Sequence, residues 1–215
     1  MSYFASIPWC ATMLQQPGIV TFTPMARLPA GSDGRFPSQD QLFKTSLKTA
    51  DTVPEYLGFY QSPFSDANHL SVLAVRPPRS GPQFLINTMS LLVDLRPGVN
   101  GFNGTAHGGL IASIMDEVMG CLVFKNSVVQ REMQAKGMVI PGDVLDMTKA
   151  GPAFTASMNV KFIKPIPTPQ VVIATATLSK IDSKKIYLSH DIKDEKGKML
   201  AAGEGTWVIL PKERL

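Results

Sequence analysis

Cysteine is nearly absent from this 215-residue chain, which carries only Cys10 and Cys121. Two cysteines cannot build a disulfide scaffold, and no CxxC or clustered Cys/His spacing suggests a structural zinc site. No apolar run reaches the length of a membrane-spanning helix. No acidic residue precedes Asp33, and no basic residue precedes Arg27. The amino-terminal stretch therefore lacks acids, as mitochondrial presequences do, yet shows no basic amphipathic helix. Basic residues are scattered: the net charge of +4 comes from 21 Lys and Arg against 17 Asp and Glu. That balance gives little support to nucleic-acid binding. No internal repeat or low-complexity tract is present.

What is there is ordinary globular composition, 44% hydrophobic and 18% charged, at a length of one domain with an extension. Residues 1–65 read as a partly ordered arm, with Pro8, Pro17, Pro24 and Pro29 and then a Gly/Ser-rich stretch. Residues 39–60 show loose helical spacing, interrupted at Pro54. Residues 66–215 read as the main domain. Residues 69–75 and 84–95 have the character of strands. In residues 107–124, Leu110, Ile111, Ile114, Met115, Val118, Met119 and Leu122 recur at helical spacing. Apolar residues cover much of that helix, so it should be mostly buried. Residues 125–151 read as polar and irregular. Four strands with short turns follow, over 154–162, 171–178, 185–192 and 199–210, and connections this short make them antiparallel. Two strands, one buried helix and four antiparallel strands give an α+β chain. Its expected architecture is a hotdog fold, a curved antiparallel sheet wrapped around one long central helix.

The stretch NGFNGTAHGGLIASIMDEVMG, residues 100–120, carries the chemistry. His107, Gly108 and Gly109 stand where loop becomes helix. The first helical turn leaves N–H groups unpaired, and a carbonyl oxygen placed there would be polarised and its oxyanion stabilised. Asp116 lies two turns on, among apolar neighbours. A carboxylate there is costly unless paired or functional, and it could activate water or attack directly. Glu117 points about 100° away around the helix. Cys121 reads as a buried small residue, and Ser113 has no recognisable triad.

These residues resemble the hotdog acyl-CoA thioesterases of the 4-hydroxybenzoyl-CoA thioesterase superfamily, in particular the phenylacetyl-CoA thioesterase-like branch with the mammalian thioesterase superfamily members. The likeness rests on the run Gly104 to Gly109 with Asp116 nine residues after His107. A second stretch, Thr155 to Phe162 followed by Lys164-Pro165-Ile166-Pro167, adds to it. The resemblance implies that Asp116 is the catalytic carboxylate, that the Gly108 N–H polarises the thioester carbonyl, and that His107 shapes the site. It implies that Thr155 orients water or the carboxylate, facing Asp116 of the partner subunit in a homodimer or a dimer of dimers. Some members carry Asn six residues before the histidine; here that position is Gly101, flanked by Asn100 and Asn103 as substitutes. Gly109, Lys161 and Lys164 join them as substrate-binding candidates, the lysines for coenzyme A phosphates. The reaction needs neither metal nor cofactor. The expected function is hydrolysis of acyl-CoA to free acid and coenzyme A, in an intracellular setting, cytoplasmic or mitochondrial. Alternatives are release of an acyl or polyketide chain from an acyl carrier protein, and a non-catalytic acyl-CoA-binding protein. A dehydratase or hydratase fits the His107–Asp116 arrangement poorly.

Overall fold

The apolar run before residue 96 is a strand buried on both faces. In the computed structural model, which describes residues 3–29, 40–64 and 81–211, this strand is β3, Thr88–Leu95. Met89, Leu91, Val93 and Leu95 face the main core, while Leu92 belongs to a second cluster on the opposite face. Burial on both sides explains why the sequence there does not alternate.

The chain opens with a 3-10 turn, Tyr3–Ser6, and a short helix α1, Pro8–Leu14. Strands β1, Ile19–Phe22, and β2, Tyr56–Gln61, precede β3. A small hairpin, β4 at Asn100–Phe102 and β5 at Thr105–Ala106, leads into the long helix α2, Gly108–Ala135. Four strands follow: β6, Ala153–Phe162; β7, Gln170–Asp182; β8, Lys185–Lys193; β9, Met199–Ile209. Seven strands form one sheet in the order β1-β2-β3-β7-β8-β9-β6, every pairing antiparallel. The chain has the α+β hotdog architecture, with α2 laid along one face.

Period-two alternation places Val172, Ala174, Ala176 and Leu178 of β7 and Ile186, Leu188 and Ile192 of β8 against the helix. Where α2 approaches closest the sheet residues are small. Ala174 and Ala176 are fully buried, and the Met119 thioether fills the space a side chain on Gly205 would need. Core packing of this density tolerates little change of volume.

Three expectations are revised. The loose helical spacing read over residues 39–60 corresponds, from residue 40 on, to one π-type turn, Leu42–Ser46, while Tyr56 and Leu57 lie in β2. The sheet extends across the boundary drawn at residue 66, since β1 and β2 pair next to β3. The arm before β1 covers the sheet's outer face, where Phe4 and Cys10 pack on Phe59 and Leu92. It is tied down by Arg96, which donates to the Tyr3 hydroxyl at 3.1 Å and forms an ion pair with Asp94 at 2.7 Å. Burial pushes the Cys10 thiol up to about 12, so it carries almost no thiolate near neutrality. The strand expected over residues 69–75 lies outside the described residues.

The third revision concerns residues 125–151, whose first eleven continue α2. Polar letters there suggested a surface loop, but Asn126 and Gln130 are completely buried. Asn126 accepts from the Ile86 N–H and donates to the Ile86 and Leu122 carbonyls, each at 2.9 Å. Gln130 accepts from the Met147 N–H at 2.7 Å and donates to the Leu145 carbonyl at 3.0 Å. Both amides satisfy backbone groups of segments that lie on the helix without regular pairing. Asn126→Ala would strand the Ile86 N–H and C=O. It is expected to cost about 3 kcal/mol, read as a lower urea midpoint with unchanged slope; a midpoint within error of the parent would refute it.

Candidate active site

The site is built by α2 and the edge strand β6. Asp116 projects from the half-buried flank of α2, beside the apolar stripe that meets the sheet. Thr155, at the start of β6, donates its hydroxyl to Asp116 Oδ1 at 2.7 Å. The pair forms within one chain, so the expectation that Thr155 faces Asp116 of the partner subunit is corrected. A register shift between Thr155 and Ser157 in the β6–β9 ladder adjusts the strand where it carries this hydroxyl, as bulges next to sites commonly do.

A cavity of about 310 Å3 opens beside the pair. Gly120, Cys121 and Phe124 wall it from the helix, Phe154 and Trp207 from the sheet, and Met25 and Ala26 from the amino-terminal segment. Phe124 and Trp207 meet edge to face, centroids 6.1 Å apart. An adjoining cavity of about 350 Å3 shares Asp40, Asp116, Glu117 and Thr155. Glu117 thus borders the same space as Asp116, while Thr155 selects Asp116. The aromatic walls and the contribution of residues 25–26 escaped the sequence reading. The only signal available was the aromatic character of Phe124, Phe154 and Trp207, which core packing explains equally well.

The opposite end of α2 holds the glycines. His107 is the N-cap, and its Nδ1 accepts from the Gly109 N–H at 2.9 Å. This bond leaves Nε2 to carry the imidazole proton of the neutral ring. Gly108, at the first helical position, has no acceptor for its N–H among the described residues. A Cβ on Gly108 would come 3.4 Å from the Phe162 ring. Gly101 is explained by the same histidine: a Cβ there would sit 2.6 Å from His107 Cδ2, so asparagine cannot occupy that position without displacing the imidazole. Asn100 accepts from the Thr168 hydroxyl and so helps hold the hairpin. Asn103 stands exposed at the hairpin tip.

A third cavity, about 330 Å3, joins Gly108 and Ile111 to Phe162, Ile163 and Lys164. Lys161 and Lys164 are exposed at the far end of β6. Lys198 beside Lys164 pushes its pKa below the usual lysine value, so two cations share this rim. The structure therefore brings Asp116 and Thr155 together, and separately His107, Gly108, Gly109 and Lys164. It does not bring the two groups to one point within a chain. Gly108 and Asp116 are eight residues apart on one continuous helix, a rise of about 12 Å. Among the described residues, no helix is long and apolar enough to cross a membrane.

A central helix against an antiparallel sheet, with a carboxylate held at mid-helix and open N–H groups at its start, defines a hotdog-type site. Residues 103–201 match the model of the thioesterase superfamily. Verlamelin biosynthesis protein B from a Lecanicillium species is 30% identical over 226 aligned positions, covering all of this chain and 91% of that protein. The acyl-coenzyme A thioesterase THEM4 of Rattus norvegicus is 30% identical over 100 positions, 46% of this chain and 33% of that protein. The chain thus accounts for about a third of that relative's length. The crystal structure of thioesterase superfamily member2 from Mus musculus superposes with a TM-score of 0.43 at 18% identity, over 58% of this chain and 76% of that one. The chain belongs to the thioesterase superfamily.

Proposed function

We propose that the protein hydrolyses acyl-CoA thioesters at a site shared between two copies of the chain. The observation that carries this reading is the Asp116–Thr155 hydrogen bond at the mouth of an apolar cavity. The Thr155 hydroxyl occupies Oδ1 and leaves Oδ2 to take a proton from water. That water adds to the thioester carbonyl carbon. The oxyanion formed is held by a Gly108 N–H, with the His107 Nε2–H beside it. Collapse expels the thiolate, which takes the proton back from Asp116, and the products are a carboxylic acid and a thiol.

The 12 Å separation along α2 requires the N–H donors to come from a second copy. Strand β6 supports this arrangement. It is an edge of the sheet, and Phe154 and Phe162 on it are 49% and 57% exposed. A long apolar edge calls for pairing. An antiparallel pairing of β6 with itself, centred between Met158 and Asn159, sets Thr155 opposite the partner's Phe162. That ring lies on Gly108 within its own chain, so the pairing carries the partner's Gly108 toward Asp116. Lys161 and Lys164 then flank the entrance, where coenzyme A phosphates fit their charge. Asn100, Asn103 and Gly109 shape the same entrance.

Free-thiol release from a panel of acyl-CoAs of graded length tests the reading. Turnover of at least one acyl-CoA is the expected result. Turnover only of thioesters on an acyl carrier protein would overturn the coenzyme A assignment and keep the chemistry.

A further inference from the structure

The cavity beside Asp116 takes its walls from both ends of the seven-stranded sheet. Phe154 and Trp207 come from β6 and its neighbour β9, at one edge. Met25 and Ala26 belong to a 3-10 turn, Met25–Arg27, that follows β1, the strand at the other edge. The sheet thus curls far enough around α2 to bring its two ends together, and the cavity is the slot between them. From the helix the slot is lined by Asp116, Gly120 and Phe124. Spaced by four residues, they share one helix face, so the slot follows α2 over a rise of about 12 Å.

Small residues make this room. Ala26 is buried in the wall. Gly120 stands in the interior of a helix, where glycine is destabilising relative to alanine. A Cβ on it would come 3.3 Å from Trp207 Cη2, so glycine is what lets the indole lie against the helix. Met25 is half-buried, and its unbranched thioether adapts to an irregular apolar surface. The Asp116–Thr155 pair lies within the stretch that matches the superfamily, 103–201, whereas Met25, Ala26 and Trp207 lie outside it. The carboxylate and the size of the slot are therefore carried by different parts of the chain.

We propose that Met25 and Gly120 set the length of acyl chain the protein accepts, and that the substrate class is a straight, apolar acyl thioester of medium length. An apolar cavity of about 150 Å3 takes one benzene ring, so about 310 Å3 takes roughly a dozen chain carbons. A short acyl group leaves most of the slot unfilled. This rests on the reading of the Asp116 cavity as the acyl site.

The test reads kcat/KM against chain length for saturated acyl-CoAs. In the parent protein each added methylene is expected to raise kcat/KM about fourfold until the slot is full, at roughly twelve carbons. Each methylene beyond that lowers it about tenfold. Met25→Ala opens the wall and should move the maximum about two carbons longer, since one misfitting methylene already decides acceptance. Gly120→Ala adds a methyl where the indole touches the helix and should move it shorter. Each variant is scored by its own ratio of long to short chains, so that a general loss of activity cancels. Met25→Ala, at the half-buried position, carries the test alone if Gly120→Ala does not fold. A maximum that stays in place in the folded variants, or a parental profile flat in chain length, would overturn the assignment. The matched free fatty acids are also bound to each protein and read by thermal shift, which needs no turnover. The same displacement in binding, without thiol release from any thioester, would leave this inference standing and overturn the hydrolase reading alone. Absence of both turnover and thermal shift would overturn the acyl slot itself.

Discussion

Asp116→Asn is expected to lower kcat by about 10²- to 10⁴-fold, the usual contribution of a positioned general base. Asparagine has the shape of aspartate, and its carbonyl oxygen still accepts from the Thr155 hydroxyl that now meets Oδ1 at 2.7 Å. Strand β6 and helix α2 therefore keep their contact, and the Tm should stay close to that of the parent. What is lost is the proton acceptor. KM should change little, because the Phe124, Phe154 and Trp207 walls of the cavity proposed to receive the acyl chain are unchanged and asparagine keeps the shape of Asp116. Such a split, kcat lost with KM and Tm retained, marks an interaction made in the transition state. A variant retaining more than a tenth of parental kcat would remove Asp116 from the chemistry. Glu117, which borders the same cavities, would then be the carboxylate to replace next.

Mixing two inactive variants should restore activity. Gly108→Pro deletes the N–H proposed to hold the oxyanion, and proline suits the first helical position, where no intrahelical bond is lost. Alone it should be nearly inactive, as should Asp116→Asn. In a symmetric dimer each site draws Asp116 from one chain and the Gly108 N–H from the other. A mixed dimer then has one site with both groups intact and one with neither. Random exchange makes half of the dimers mixed, so the pool should recover about a quarter of parental activity. Recovery requires exchange, so the variants are mixed after mild urea treatment and refolded together. Lack of recovery, with mixed dimers confirmed by a size tag on one chain, would mean that each chain carries a complete site. The proposed β6 pairing would fall with it.

The helix and the sheet around it were legible because their signals are local. Residues 107–124 repeat apolar side chains at helical spacing, and β6 to β9 alternate or end at short turns, so period and turn chemistry state the element directly. Asp116 stood out for the same kind of reason, as one carboxylate within a buried face. Asn126 and Gln130 were misread because composition treats amides as surface residues. Their role exists only when Ile86 and Met147 come from elsewhere in the chain to be bonded. The two faces of β3 were likewise beyond reach, since α1 has to be placed before Leu92 has a partner.

The sequence by itself determined a hotdog chain with Asp116 on its central helix and His107-Gly108-Gly109 at the helix start. Periodicity and helix-end chemistry depend only on neighbours a few residues apart. Tertiary structure decided the rest. It joined Thr155 to Asp116 within one chain and set Gly108 too far along the same helix to reach the same carbonyl. Each of these depends on how distant segments cross, and no spacing along the chain encodes such a distance.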